Sequence, residues 1–475
     1  MQLSTFKVNL KTKSFYHKLA PFFLLLALVV SPVVQASTEE GGTHDFATTF
    51  LWIAVILVAA KLSSLVERLG QPSVLGELVI GVILGNLVLL GLHIFEPIKT
   101  DLTIAFLAEL GVVILLFQIG LESNIQKMRQ VGLRAFLVAI IGVVVPFILG
   151  TYVVGPLLLP GLSFNAYLFL GATLTATSVG ITARVFRDLN KLQTSEAQIV
   201  LGAAVLDDVL GLIILAVVSA IVTIGAVSFG MIAWITAKAI LFLVGAIVLG
   251  QIFAPYLGKI FAKIHTGVGM KLTLAISFGL TLAYLAQKIG LAPIVGAFAA
   301  GLVLDPVHFR YFKDPKVVSD VKEIIKDAPQ EIQQKVNEAV EPHAHRHIED
   351  LIEPIGFFLV PIFFVVTGIN VKLETLFNLP ILLVALGITV AAFIGKIVSG
   401  LVAGKVNKSI VGFGMIPRGE VGLIFAMIGK SLGVVSDEIF SAIVIMVILT
   451  TLLTPPILTF LLKRQDKKIE AKRHI

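Results

Sequence analysis

The sequence predicts an all-α integral membrane protein of about 13 transmembrane helices, built as an inverted repeat with two discontinuous crossing helices. Of the 475 residues, 57% are hydrophobic and only 14% are charged, whereas soluble domains carry about 25% charged residues. Apolar runs long enough to cross a bilayer recur along the chain. Motifs of the first half also return in the second half.

Composition and charge exclude several classes of function. The chain contains no cysteine, so disulfides and thiolate metal sites are excluded. The net charge of +7 comes from basic residues scattered over short loops, which does not favour nucleic-acid binding. With the mature N-terminus outside and the C-terminus in the cytoplasm, about 25 Lys and Arg lie inside and about 4 outside. We therefore expect a multi-pass protein in the lipid of a bacterial-type plasma (inner) membrane.

The first element resembles a signal peptide. Four lysines precede a short apolar run over residues 19–30, and small residues lie at the expected cleavage point after about Ala36. This pattern predicts a signal peptide over residues 1–36, with an uncleaved first helix as the alternative. Thirteen apolar spans follow, at about residues 46–66, 73–91, 103–121, 135–158, 164–185, 197–222, 229–256, 269–287, 291–304, 354–371, 378–403, 409–429 and 438–462.

Two polar segments lie outside these spans. Residues 305–350 are predicted to form a cytoplasmic loop with a helical stretch at 329–340, and residues 463–475 a cytoplasmic tail. The loop carries His343, His345 and His347. Three histidines could bind a metal or sense pH, but a solvated loop is the simpler interpretation.

The chain contains an internal repeat. A shift of 220 residues places Gly76 and Gly81 on Gly296 and Gly301, and a shift of 248 places Gly120 on Gly368. The second copy begins seven spans after the first, so the two copies cross the membrane in opposite senses. Such inverted repeats are typical of secondary transporters. Chance matches between helices packed through small residues are the alternative.

The repeat predicts a broken helix at matching places in each half. Span 409–429 contains Pro417, Arg418 and Glu420, and a helix should break near Pro417 because proline lacks an N–H and clashes with the preceding turn. The half-helix ends carry partial charges. Glu420 can face positive N-terminal ends, and Arg418 negative C-terminal ends.

Span 164–185 contains the matching hydroxyl cluster, Thr175, Thr177 and Ser178. Hydroxyl groups can satisfy backbone groups that a break sets free. The alternative is an ordinary Thr-rich packing face. Gly180 of this span aligns with Gly422 of the other at a shift of 242 residues.

Two adjacent aspartates, Asp207 and Asp208, lie near the middle of span 197–222. An ionised Asp at the bilayer centre costs about 2.5–3.5 kcal/mol on insertion scales, which usually marks an ion or proton pathway. Adjacent helical residues point about 100° apart. Asp208 shares its face with the small residues Ala204 and Gly211, so we assign Asp208 to the ion site and Asp207 to a side partner.

Lys396, deep in span 378–403, is the expected partner of Asp207. An ion pair lowers the desolvation cost of both groups. The alternative is that Lys396 extends to the membrane interface.

This set of residues suffices for cation/proton exchange without a cofactor. A carboxylate in a cavity binds either a dehydrated Na⁺ or K⁺ or a proton, so competition at Asp208 enforces exchange if the site faces each side in turn. Backbone carbonyls and hydroxyls around Thr177 and Ser178 are candidates for further oxygen ligands. Asp208 is thus the predicted ligand of the transported metal ion.

Together these residues resemble the monovalent cation:proton antiporter family, in the branch that includes NapA and the Kef-type K⁺ systems. The resemblance covers residues 46–462. Its specific parts are residues 107–111 with 115–117, Asp207-Asp208, residues 363–365 with Gly368, Lys396, and residues 417–420.

The resemblance implies an NhaA-like fold. Core helices at about 135–222 and 378–462 would move against scaffold helices at about 46–121 and 269–371, with a linker helix at about 229–256. It also implies a homodimer, and it maps the essential carboxylate onto Asp208, its neighbour onto Asp207 and the membrane lysine onto Lys396. Two Asp with a Lys resemble the electrogenic members.

Three other functions stay open. A K⁺/H⁺ antiporter or a Kef-like K⁺ efflux transporter is the nearest, although Kef-type proteins usually have Gln at the position of Asp207 and a large cytoplasmic nucleotide-binding domain. An intramembrane aspartyl protease needs two carboxyls converging from different helices, whereas here they diverge on one helix. A cation channel would need neither the lysine nor the inverted repeat.

Overall fold

The computed structural model describes residues 46–69, 72–122, 132–224, 229–304, 312, 316–326, 328–345, 347–374 and 379–473. All regular elements within these ranges are helical. The predicted signal peptide, residues 1–36, lies outside the described residues. So do the side chains of His343, His345 and His347.

The main helices are numbered here in chain order. They are α1 (Phe46–Ser63), α2 (Ser73–Gly85), α3 (Leu102–Glu122), α4 (Leu133–Ile148), α5 (Phe164–Thr173), α6 (Val179–Asp188), α7 (Ser195–Ile224), α8 (Phe229–Ile264), α9 (Val268–Lys288), α10 (Pro293–Val303), α11 (Lys316–Ile324), α12 (Gln330–His345), α13 (His347–Ile369), α14 (Leu379–Ser399), α15 (Lys408–Gly414), α16 (Glu420–Ser431) and α17 (Asp437–Arg473).

Ten helices among the described residues are long and apolar enough to cross a membrane. The other three predicted spans have a different form. Helix α10 has 11 residues, and two spans are each divided into a pair of short helices, α5 with α6 and α15 with α16. The fold is thus all-helical with two interrupted spans, while the count of thirteen transmembrane helices stays a prediction.

Several helices extend beyond the predicted spans. Helix α17 has 37 residues and continues to Arg473, so most of the predicted cytoplasmic tail is helical. Helix α12 runs from Gln330 to His345, which is longer than the predicted stretch at 329–340. Hydropathy marks where the apolar part of a helix ends, but it does not mark where the helix itself ends.

Glycine contacts show the inverted repeat. In α2, Gly81 lies directly against the backbone of Val365 and Gly368 in α13. In α10, Gly301 lies in the same way against Phe117 and Gly120 of α3. The shifts of 220 and 248 residues convert the first set of contacts into the second. Because a Cβ at either glycine would collide with the facing backbone, the close approach of these helices requires glycine.

The two interrupted spans lie among four long helices. Helix α7 packs against α4, α5, α6, α15 and α16, and α17 packs against α6, α14, α15 and α16. Helix α14 also packs against α4. The predicted site residues on α7 and α14 are therefore placed beside the two breaks.

Candidate ion-binding site

The two interrupted spans meet at their breaks. The Ser178 N–H donates to the Pro417 carbonyl at 2.7 Å, and the Thr177 hydroxyl donates to the Met415 carbonyl at 3.2 Å. Just beyond the first break, residues 174–178 between α5 and α6, the Thr182 hydroxyl donates to the Gly414 carbonyl at 2.7 Å. Segments 174–178 and 415–419 therefore satisfy part of each other's backbone, as unwound chain inside a membrane protein requires.

Gly419 allows the two segments to approach this closely. A Cβ at this position would lie 2.7 Å from both Cβ and Oγ of Ser178. Any larger residue would therefore push the two segments apart.

Arg418 lies between the C-terminal ends of α5 and α15. Its guanidinium is fully buried and donates to the carbonyls of Leu174 at 2.6 Å, Met415 at 3.5 Å and Ala392 at 3.5 Å. Leu174 and Met415 are the C-cap residues of these two helices. Because helix C-termini carry partial negative charge, the guanidinium lies where the sequence predicted it.

Glu420 lies at the opposite helix ends. It is the first residue of α16, and its Oε2 accepts a hydrogen bond from the hydroxyl of Ser178 at 3.4 Å. Ser178 directly precedes α6, so the carboxylate faces the N-terminal ends of α6 and α16. Both residues line a cavity of about 220 Å³ whose other walls come from α2, α3, α13 and α17.

Asp207 and Lys396 form a buried ion pair. Lys396 Nζ lies 2.7 Å from Asp207 Oδ1, and both side chains are 0% exposed. Gly142 of α4 lies over the ammonium group, because a Cβ there would be 3.5 Å from Nζ. Lys396 therefore does not reach the membrane interface, and that alternative is wrong.

The second oxygen of Asp207 is left without a partner. Asp207 Oδ2 is buried and receives no hydrogen bond from the part of the chain that the structure describes. The side chain of Thr177 lies beside this carboxyl, but its hydrogen bond goes to Met415.

Asp208 has a different environment from its neighbour. It is half-buried, and no ion pair or hydrogen bond joins its carboxyl to another described residue. One turn further along α7, a Cβ on Gly211 would lie 3.6 Å from Phe425 and 3.9 Å from the hydroxyl of Thr175. This face of α7 is therefore turned toward the first break, where the Thr175 hydroxyl donates to Ala172 at 2.7 Å.

The charges of the site do not cancel when all groups are ionised. Two cations, Lys396 and Arg418, stand against three acids, Asp207, Asp208 and Glu420. One negative charge is left over, and neither Asp208 nor Glu420 has an ion-pair partner among the described residues, whereas Asp207 is paired with Lys396. The arrangement can therefore accept one monovalent cation or one proton.

Two threonines of α17 also belong to the site, although sequence reasoning did not select them. The Thr450 hydroxyl accepts from the Arg418 N–H at 3.3 Å, and the Thr451 hydroxyl donates to the Arg418 carbonyl at 2.7 Å. The repeat contained the signal, because the shift of 242 residues that aligns Gly180 with Gly422 places Asp208 on Thr450.

No cluster of His, Asp or Glu in the described ranges has the geometry of a resident metal centre.

Comparisons with known proteins agree on one family. Residues 53–327 and 336–464 match the model described as "Sodium/hydrogen exchanger, transmembrane". The chain is 35% identical over 465 residues to the high-affinity Na⁺/H⁺ antiporter NhaS3 of Synechocystis sp., covering 90% of this chain and 92% of that protein. It is 32% identical over 432 residues to the Na⁺/H⁺-K⁺ antiporter GerN of Bacillus cereus, covering 89% and 99%.

The fold is similar to a solved structure, that of the sodium proton antiporter MjNhaP1 from Methanocaldococcus jannaschii. The TM-score is 0.62 at 18% sequence identity, and the match covers 88% of this chain and 99% of that chain.

Proposed function

Because the chain belongs to the sodium/hydrogen exchanger family, we propose that it is a secondary antiporter that exchanges Na⁺ for H⁺ by alternating access. The two ions compete at Asp208, which is the ligand of the transported cation. The observation that carries this assignment is the contrast between two adjacent carboxyls. The carboxyl of Asp207 forms an ion pair with Lys396, whereas that of Asp208 is half-buried and unpaired.

Competition at Asp208 follows from charge. An isolated carboxylate in a low-dielectric site is costly unless a positive charge accompanies it. A cation and a proton both supply that charge, but a proton occupies the oxygen that the cation needs. Each therefore displaces the other, and one site gives obligatory exchange.

The remaining cation ligands come from nearby oxygen atoms. Na⁺ is a hard cation, and such ions prefer carboxylate, carbonyl and hydroxyl oxygens. The unpartnered Oδ2 of Asp207 and the backbone carbonyls of segment 174–178, with the hydroxyls of Thr175 and Thr177, are the candidates. Ser178, Pro417, Arg418 and Glu420 support them by holding the unwound segments and compensating the helix ends.

Alternating access requires two bodies that move against each other. We assign α4–α7 and α14–α17 to a moving core, α1–α3, α9, α10 and α13 to a scaffold, and α8 to the linker. The glycine contacts of α2 with α13 and of α3 with α10 join scaffold helices tightly. The 220 Å³ cavity, by contrast, separates Ser178 and Glu420 of the core from the scaffold helices. The scaffold is also where a second copy would pack to form a homodimer.

K⁺ is the second candidate cation, because GerN is named a Na⁺/H⁺-K⁺ antiporter. Purified protein in proteoliposomes, loaded with a pH-sensitive dye, should show proton movement when a Na⁺ gradient is imposed. Parallel gradients of Li⁺ and K⁺ rank the cations. Proton flux driven by K⁺ alone would favour K⁺/H⁺ exchange, and flux that responds to no alkali cation would contradict antiport.

A voltage clamp set by K⁺ and valinomycin measures charge movement in the same vesicles, with another counter-ion when K⁺ is the substrate. We expect Na⁺-driven exchange to accelerate under the clamp, because the Asp207, Asp208 and Lys396 set resembles electrogenic exchangers. An unchanged rate would indicate electroneutral exchange.

A further inference from the structure

The connection between α13 and α14 is fastened to the scaffold. The amide of Asn86, which directly follows α2, donates to the Val371 carbonyl at 2.7 Å and accepts from the Leu373 N–H at 2.8 Å. Asn86 is buried, so both ends of its amide bond this one piece of chain. These two hydrogen bonds therefore hold residues 371–373 against the end of α2.

The same piece of chain bonds to the start of α17. Lys372 lies between the two residues that Asn86 holds, and its Nζ is 2.8 Å from Asp437 Oδ2. The Lys372 N–H also donates to the Ser441 hydroxyl at 3.1 Å. Because α17 belongs to the proposed core, these contacts join core to scaffold.

The second oxygen of Asp437 bonds within the core. Asp437 Oδ1 lies 2.8 Å from Nζ of Lys430, in the last turn of α16, and this ammonium also lies over the ring of Phe440, 4.9 Å from its centroid. One carboxylate therefore has one bond across the core–scaffold boundary and one bond inside the core, with equal lengths. The sequence predicts that this end of the bundle faces outward.

We propose that Asp437 and Lys372 form an ionic clasp, which closes the core against the scaffold at the outer end and must open in every transport cycle. This inference rests on the proposed exchange function, because only a moving core needs to release the contact. The side chains of Lys372 and Asp437 are 48% and 34% exposed, and ion pairs of such exposure are weak enough to open repeatedly. The hydrogen bond with Asp437 raises the pKa of Lys372, so the lysine stays charged near neutral pH.

The chain contains no cysteine, so cross-linking can test the clasp in the protein as it exists. Lys372→Cys with Asp437→Cys places one thiol on each side of the boundary. We expect a short bifunctional methanethiosulfonate reagent to join them and to abolish Na⁺-driven proton flux in proteoliposomes. Addition of a reductant should restore the flux, which also shows that the double variant is folded.

The matched control is Lys430→Cys with Asp437→Cys, because this pair lies wholly within the core. Cross-linking of the control should leave at least half of the flux. Loss of free thiols, measured with a fluorescent maleimide, gives the extent of each cross-link.

Three results would overturn the clasp: full flux with the boundary pair cross-linked, equal loss of flux in the two cross-linked pairs, or no cross-link in the boundary pair. Failure of the proposed exchange function is distinguishable, because the cysteine-free parent would then show no Na⁺-driven flux at all.

Single substitutions give a second measurement. Lys372→Gln removes the ion pair across the boundary. Lys430→Gln removes the ion pair within the core, together with a longer contact of 3.5 Å between Lys430 Nζ and Asn370 Oδ1. If opening of the clasp limits the cycle, Lys372→Gln should raise the maximal rate about two- to fivefold, the range that an exposed ion pair supports. Lys430→Gln should change the rate less, and an equal effect of the two variants would contradict the clasp.

Discussion

The two breaks at the centre of the molecule have the same origin in the repeat but different bonding. Several backbone groups of the second break, residues 415–419, are hydrogen-bonded to other residues of the protein. Its Arg418 backbone bonds to Thr450 and Thr451 of α17, and the carbonyls of Met415 and Pro417 accept bonds from the first break. The first break, residues 174–178, faces α7, where Asp208 stands at the position that corresponds to Thr450 in the repeat.

This difference shows how one structural unit acquires two roles. A threonine bonds an unwound backbone without charge, so the second break is a stable support. An aspartate at the corresponding place bonds nothing in the described chain and brings a negative charge into a half-buried site. In the proposed function, the first break therefore takes a cation or a proton where the second break has a hydroxyl group.

The largest expected effect comes from making the two breaks alike. Asp208→Thr places beside the first break the residue type that Thr450 of α17 provides beside the second break. Asp208→Asn removes only the charge. We expect each variant to lower Na⁺-driven proton flux at least about 100-fold, because the site then has no carboxylate for either ion. The measurement is the dye assay in proteoliposomes.

Asp466→Asn is the control for this prediction. Asp466 pairs with Lys191 at 2.6 Å, but its side chain is 40% exposed and lies near the end of α17. The Na⁺-driven proton flux of the Asp466→Asn variant should stay close to that of the parent. Retained exchange in Asp208→Asn, with normal expression, would refute the assignment of the ion site.

A second, smaller effect concerns the closed neighbour of Asp208. Lys396→Met removes the only ion-pair partner of Asp207 among the described residues and leaves a fully buried carboxyl without compensation. Breaking a buried pair in this way destabilises proteins by about 3–5 kcal/mol, so the thermal unfolding temperature should fall markedly.

The double variant Asp207→Asn with Lys396→Met should regain much of this stability, because it removes both charges. Charge movement under the voltage clamp should also decrease if Lys396 takes part in coupling. An unfolding temperature equal to that of the parent would mean that the ion pair contributes nothing to the fold.

Several parts of the site could be predicted from the sequence because their residue types are rare inside a membrane. Pro417, Arg418 and Glu420 in one apolar span predicted a compensated break, and the depth of Lys396 predicted a partner for Asp207. The small residues beside Asp208 predicted which face of α7 is turned inward, and the structure places Gly211 against Thr175 and Phe425.

Other parts could not be predicted. Thr182, Thr450 and Thr451 lie in apolar helices where threonine is equally common as a packing residue, and only the partner backbone distinguishes the two uses. The bonds of Asn86 across the outer end also depend on tertiary contacts between residues about 285 positions apart. Helix α17 continues to Arg473, beyond the predicted span. Hydropathy did not predict this continuation, because it indicates only where the apolar part of the helix ends.

The smallest predicted effect tests the support role of the second break. Thr451→Val keeps the branched shape but removes the hydroxyl that donates to the Arg418 carbonyl at 2.7 Å. A buried polar group left without its hydrogen bond costs about 1–3 kcal/mol. A displacement of Arg418 should weaken Na⁺ binding, because its guanidinium donates to the Leu174 carbonyl of the first break. We expect the Na⁺ concentration for half-maximal flux to rise several-fold while the maximal rate changes less. Thr451→Ser restores the hydroxyl and should restore the affinity. A loss of stability without any change in Na⁺ dependence would show that the second break supports only the fold.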